Sequence, residues 1–569
     1  MQQASVLRPV AGFVFILGAL CGVARATPTA AKHGGRPAIN GAFGAYLDGH
    51  FALSQSDPEQ AADEFIRVLA TDPGDAELIQ EAFVACLLSG RPEAARLAKE
   101  LPDNQAAQLL LADLDAKTGS WDAAEQRFRA LPKQGFTQVL QPLLVAWAQQ
   151  GAGHTDAALA TLRPYVEGQR LRGVYALHAA MIADIAGRNA DAARLYRVAQ
   201  AEYGGANVRL AQVLASWQAR QGHLAEAQQT LRALAEGGDE MAIAVPAMMA
   251  SVAPRPVARA TDGIAEAYIA MAAALRQQDA TEFSSLLLRL ALGLRPDFTA
   301  VRILISDIES GNGQLESAIR ALAPVGTSDP LIGVVRLRRA DLTERLGKTE
   351  EATRELEQLA RDYPDSPLPL EHLGDILRSK NRFPEAVTAY DRALARLKAP
   401  RRSAWPLFYA RGIAEERAHD WPHAQADLER ALQLAPDQPY VLNYLGYSWA
   451  DQGQNLEQAR QMLTHAVELR PNDGSIVDSL GWVLLRQGDT KGAVQSLERA
   501  VEMMPEDPTI NGHLGDAYWA IGRHLEAEYQ WRRALILHPD PDEAAKLEVK
   551  LHDYANQADG PATAEHRVQ

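Results

Sequence analysis

The chain is poor in cysteine. Only Cys21 and Cys86 occur in 569 residues, and Cys21 lies in the apolar N-terminal run. A single remaining cysteine closes no internal disulfide, and no paired-cysteine metal motif can be assembled. Cys86, within "EAFVACLLSG", has apolar neighbours and reads as a small buried residue. Positive charge is short as well: 57 Lys and Arg against 72 Asp and Glu give a formal net charge of −15. That balance disfavours nucleic acid and anionic lipid as partners. After Val23 no apolar run is long enough to span a bilayer. Period-two runs of Val, Ile and Thr are scarce, which argues against a sheet. Catalytic signatures are missing too, with no H-E-x-x-H and no G-x-S-x-G.

Two short motifs fail on context. "LGKT", Leu346 to Thr349, ends like a phosphate-binding loop, but Leu342 stands where that loop needs glycine, and helices flank it instead of a strand. "HDWPH" places Pro422 between His419 and His423, so the two histidines do not share a helical face. The carboxylates are scattered as helix-face charges. No residue is nominated as a catalyst, metal ligand or cofactor ligand, and the expectation is a non-enzymatic protein without cofactors.

The N-terminus carries a targeting pattern. Arg8 precedes the run "VAGFVFILGALCGV", and "ARA" follows at Ala24 to Ala26. A charged start, a short apolar stretch and an A-x-A site describe a secretory signal peptide, residues 1–26, cleaved after Ala26. The expected location is the periplasm. Cys21 offers an outer-membrane lipoprotein as the alternative, but Leu20 and Gly18 stand where lipoprotein signals carry a small residue and leucine. Loss of Arg8 and Arg25 takes the mature chain to about −17. Residues 27–41, "TPTAAKHGGRPAING", read as a flexible leader.

Fixed self-similarity fills the remainder. "DSLGWVLLRQGDTKGAVQSLERAVEMMPEDP" reads as helix, turn, helix, and "NGHLGDAYWAIGRHLEAEYQWRRALILHPDP" repeats the plan 34 residues later. Leu480–Gly481, Ala493, Leu497, Ala500 and Pro505 correspond to Leu514–Gly515, Ala527, Trp531, Ala534 and Pro539. Small residues at Gly481 and Ala493 allow two helices to approach closely, leucines fill the seam, and Pro505 ends the second helix. Gly481 therefore exchanges helix propensity, about 1 kcal/mol, for close packing. This pattern resembles the tetratricopeptide repeat (TPR), whose signature is W-x2-L-G-x2-Y followed by A, F, A and P. The spacing around "LGYSWADQGQNLEQARQMLTHAVELRPNDG" is similar to that of exported proteobacterial envelope TPR proteins.

The resemblance implies an all-α, right-handed superhelical solenoid. The small residue of each first helix acts as a ruler: Gly49, Ala82, Ala112, Ala146, Ala180 and Ala215, then Ala272, Ser306, Ala340, Gly374, Gly412, Gly446, Gly481 and Gly515. This gives about 14 repeats in two arrays, an N-terminal one over 42–236 and a C-terminal one over 265–539. The proline- and methionine-rich stretch 237–264 between them is a connector: disordered, a hinge, or a flap laid into a groove. Residues 540–557 fit a capping helix that shields the last open face, and 558–569 a disordered tail.

TPR arrays bind peptides or proteins in the concave groove, at places three before and one, four and five after the small residue. In the last four repeats these places hold Tyr409, Asn443, Tyr447, Asp478, Trp482, Arg486, Asp516 and Trp519. Aromatics and arginine on an expected open face suit a binding surface, with Trp482 pointing into the groove and contributing little to stability. No lysine stands at these places, which counts against the variant of the family that grips a C-terminal carboxylate. The resemblance implies a periplasmic scaffold or adaptor binding a protein or peptide partner, for envelope protein processing or assembly. The alternatives are a structural subunit of an envelope or polysaccharide assembly complex, or a carbohydrate-binding protein using the same aromatics.

Overall fold

A computed structural model describes residues 41–203, 207–237, 239–276, 280–397 and 402–558. The signal peptide, nearly all of the leader and the C-terminal tail lie outside these residues. Among the described residues the chain is helical with no strand: fourteen helix pairs, from Ala42–Ser54 with Pro58–Leu69 to Pro508–Ala520 with His524–Ile536, then a final helix Pro541–Ala558.

Local chemistry sets the helix ends. Asp473, Asp489 and Asp507 each accept a hydrogen bond from a backbone N–H three residues on, satisfying donors that a first helical turn leaves unpaired. The turns inside the pairs end in left-handed residues. Gly488 has φ +86°, and Asn381 takes the same region at φ +59°. The "LGKT" segment is one such turn, between Ile332–Arg345 and Thr349–Asp362.

The ruler residues all lie buried on the first helix of their pairs. Packing explains the glycines. A Cβ on Gly481 would stand 2.6 Å from Leu497 Cγ, and one on Gly515 would stand 2.5 Å from the Trp531 ring. The second helix thus sits where only a hydrogen fits. Cys86 is buried, and burial pushes its thiol up to about 11.

The connector is packed. It holds two short helices, Asp239–Ala242 and Val245–Ala250. Ile243, Ala244, Val245 and Met248 join one apolar cluster with Leu231 and Leu234 on one side and Leu331, Val334 and Leu337 on the other. Arg338 fastens it by a two-pronged bond to Glu240, at 2.6 and 2.9 Å.

The division into arrays needs a correction. The boundary expected at 264/265 falls inside the helix Ala260–Arg276, and the pair it forms with Thr281–Leu294 packs into the N-terminal repeats. Ala260 through Tyr268 are all buried, Thr261, Asp262 and Glu266 included, because the earlier repeats cover this helix on every side. Gly263 lies against the Trp147 indole, where a Cβ would come within 2.2 Å of the ring. Tyr268 Oη donates to Asp113 at 2.8 Å in a buried bond, and burial holds Asp113 well above the usual carboxylate range. Trp147 Nε1 donates to His178 Nδ1 at 2.9 Å, and burial lowers that imidazole to about 3, so it accepts as a neutral ring. Lys117 Nζ reaches the Gly293 carbonyl, and Phe283 packs on Phe136 with centroids 4.2 Å apart. At the inner end Glu266 is buried against Arg209 and Arg295, and both guanidinium groups lie over the Phe298 ring.

Gly263→Leu and Gly481→Leu should therefore leave separate footprints. Each overpacks a close contact, at a cost of about 1–3 kcal/mol. By hydrogen exchange, Gly263→Leu is expected to strip protection from 260–294 together with Gln105–Lys117 and Thr137–Gly151, leaving 474–536 protected. Gly481→Leu should do the reverse. Loss of protection in both regions from either variant would contradict the packing.

Candidate functional site

The inserted hairpin decides which groove is open. Its helices lie against Ala76–Ser89, Gln105–Lys117, Thr137–Gly151 and Arg172–Ile185, the first helices that would line a partner groove in the N-terminal array. That surface is already filled by the chain itself. The helices Trp405–Arg417, Pro439–Asp451, Gly474–Gln487 and Pro508–Ala520 carry no such insert among the described residues.

The eight groove residues fall into three groups. The first is central. Tyr447 and Trp482 are half-buried and converge on His513, whose imidazole stacks on the Trp482 indole with centroids 4.2 Å apart and planes 19° apart. Tyr447 lies 6.2 Å from the same imidazole. Burial raises its phenol, and Asp451, Asp478 and Glu543 add to the effect. The Arg486 guanidinium sits over the Trp482 ring, 5.6 Å from its centroid. Asp478 is buried and accepts from His513 Nδ1 at 3.0 Å on each oxygen. Asn443 Oδ1 and Trp482 Nε1 are buried without a hydrogen-bond partner among the described residues.

The second group is Tyr409, which stands edge-on to Tyr444 at 6.0 Å and tilted to Trp405 at 6.1 Å. The third is committed to the end of the array. Asp516 accepts from Trp531 Nε1 at 2.9 Å and from Lys550 Nζ at 2.7 Å on both oxygens, so it fastens the capping helix instead of facing a partner. Trp519 packs on Trp531 and edge-on to His524.

One set of groove residues was missed from sequence: those two places before the small residue. His372 Nδ1 lies 2.9 Å from Asp341, Tyr444 Oη donates to Glu416 at 3.0 Å, and His513 binds Asp478. Each joins one repeat to an acid of the repeat before it, forming a rung across the groove floor. The signal was present as a recurring donor at that register, His372, Tyr444 and His513, two before Gly374, Gly446 and Gly515.

Fold and groove together define an all-α repeat solenoid of the kind that serves as a protein–protein interaction scaffold. The tetratricopeptide repeat family model matches residues 337–400, 409–474 and 479–544. Among curated proteins, the chain is 30% identical over 200 residues to a TPR repeat-containing protein of Pseudomonas aeruginosa, covering 35% of this chain and 33% of that one. It is 25% identical over 205 residues to the aspartyl/asparaginyl beta-hydroxylase of Mus musculus, covering 34% of this chain and 27% of that enzyme. The chain therefore spans a third or less of these relatives' length. Among solved structures, the Cut9 and Hcn1 hetero-tetramer of APC/C is similar at TM-score 0.38 and 15% identity, over 91% of this chain and 97% of that chain. YrrB, described as a TPR protein with an unusual peptide-binding site, is similar at TM-score 0.28 and 21% identity, over 34% of this chain and 97% of that chain. Over those three stretches the chain carries tetratricopeptide repeats.

The rungs have a pH signature. Burial alone would lower the His513 imidazole, but contact with Asp478 outweighs it and holds the group above its ordinary value. His372, beside Asp341, is raised in the same way. A histidine raised on folding contributes stability that is fully present below its unfolded value of about 6.5 and is lost as pH rises through the folded value. Melting of the protein is expected to fall between pH 6 and pH 9, and Asp478→Asn should flatten that fall while lowering the His513 titration seen by NMR. An unchanged His513 titration in that variant would refute the rung. Trp482→Ala, stripped of its His513 stack, should cost about 2 kcal/mol in the melt, contrary to the expectation that the residue is free of the fold.

Proposed function

We propose that this protein is an exported scaffold that holds an extended protein or peptide segment in the groove of its C-terminal repeats. The observation that carries this reading is the cluster of Tyr447, Trp482, His513 and Arg486 on the array that carries no insert among the described residues. Aromatic and arginine side chains gathered on one surface are the types enriched where a partner is gripped. Tyr409, Tyr447 and Arg486 would frame the segment, and Asp478 would hold His513 in place. Trp482 is already engaged by two side chains of its own chain, which favours a peptide over a stacked sugar ring. The protein acts by binding and not by catalysis.

The N-terminal Arg8, apolar run and A-x-A site support export to the periplasm, and the net charge of −15 suits a solvated protein away from anionic surfaces. A role in envelope protein processing or assembly follows as the working context. For domain boundaries, we take 42–311 as the unit closed by its own hairpin and 332–558 as the binding unit.

Asn443→Ala is the cleanest probe, because the atom removed bonds nothing in the fold. It is expected to leave the melt within about 0.5 kcal/mol of wild type. Affinity purification from the native envelope with mass spectrometry should recover a partner with wild type and several-fold less with Asn443→Ala or Tyr447→Ala. Equal recovery by both variants would sink the groove. N-terminal sequencing should give Thr27 in the periplasmic fraction, and an acylated Cys21 would overturn soluble export.

A further inference from the structure

A cavity of about 290 Å³ lies where the inserted hairpin closes over the first two repeats. Its walls are mixed: Leu53, Val84, Leu88, Ile305 and Ile308 give an aliphatic side, and Ser56, Thr281, Glu282, Ser285 and Asn312 a polar one. The aliphatic residues come from three helices, Ala42–Ser54, Ala76–Ser89 and Thr299–Gly311, and Pro58 adds the start of a fourth. The helix Thr281–Leu294 brings Arg289 to the same cavity.

Arg289 is the unusual feature. Nearly every other partly buried arginine here is spent: Arg411 on Asp427 and Asp391, Arg336 on Glu355 and Asp362, Arg338 on Glu240 and Asp307. The Arg289 guanidinium has no hydrogen bond and no ion pair at contact distance among the described residues. Its charge is felt by Glu309, which also lines the cavity and whose Oε2 is buried without a hydrogen-bond partner. Burial lowers Arg289, with Glu309 and Glu59 opposing the effect, and burial raises Glu309, which Arg289 and a hydrogen bond with Ser317 oppose. A guanidinium offers five donors in a planar fork, and in a partly apolar recess such a group is costly unless a carboxylate or phosphate meets it.

We infer that this cavity is a binding site for a small amphiphilic carboxylate, its head on the Arg289 guanidinium and its aliphatic tail against Leu53, Val84, Leu88, Ile305 and Ile308. The size, at the lower end of small-molecule sites, suits a single short chain and excludes a folded partner. The carboxylate rather than the phosphate is favoured because one arginine lines the recess, and a dianion beside Glu309 would go uncompensated. The site is separate from the C-terminal groove. Because its walls come from both the first repeats and the inserted hairpin, occupancy would tie the two together.

Octanoate, octanol and octylammonium serve as probes for calorimetry and thermal melts of the full chain. Octanoate is expected to bind and raise the melting temperature, with octanol and octylammonium at least about tenfold weaker. Arg289→Gln should reduce octanoate to the level of octanol, and Glu309→Gln, which removes a like charge, should tighten it. Val84→Phe fills the recess and should abolish binding of all three, and it decides the matter should Arg289→Gln fail to fold. Equal affinity for the three probes, no binding of octanoate, or octanoate binding that survives Val84→Phe would each overturn the assignment.

Discussion

Close approach of paired helices is the constraint on which the molecule rests. At Gly481 and Gly515 the second helix presses its Leu497 or Trp531 onto backbone, leaving no room for a Cβ. Glycine in mid-helix costs about 1 kcal/mol, and the seam it permits recovers more through burial of leucine and tryptophan against a flat surface. Because one pair cannot cover its own apolar face, the next must stack on it, and a fixed spacing along the chain becomes a solenoid in space.

The same logic turned inward produces the closed half. The helix Ala260–Arg276 obeys the small-residue rule at Ala272 but also carries Gly263, Ala265 and Ala267 on its other sides. It can be approached from more than one direction, so the earlier repeats wrap it. Glu266 is buried there with two arginines for company, and burial raises Asp113 beside Tyr268. Trp147 and the Phe136–Phe283 contact would be opened to water if the hairpin left, which makes the filled groove a fixed part of the core. One array is thereby withdrawn from recognition and the other left open.

In the open array, the groove floor is held by polar rungs instead of an inserted helix. His372, Tyr444 and His513 each reach back to an acid of the previous repeat. The rungs fix the relative placement of neighbouring repeats and orient the aromatics. Trp482 is held by its stack on His513, which is itself held by Asp478. Under the proposed function, a surface organised this way would present preset groups to a partner, so that less ordering would be needed on binding.

How far could this be read from the chain alone? Repeat number, helix pairing and the buried ruler positions were legible, because period and small-residue placement are local properties that stacking repeats fourteen times. That Tyr447 and Trp482 lie on the same side of neighbouring first helices was legible for the same reason. Three things were not. Asp516 looked like a groove residue, but Lys550 and Trp531 claim it, and nothing local announces a contact 34 residues away. The stretch around Gly263 read as a connector's edge, since a ruler of small residues says which face meets the next helix and not which distant helices meet the opposite face. Nothing in the sequence around Arg289 sets it apart from the other arginines. Only the fold, by bringing four helices around it and giving its guanidinium no acid at contact distance, made it distinct. Periodicity determines neighbours along the solenoid, while contacts between turns of the solenoid depend on where the chain doubles back, and that is settled by tertiary burial.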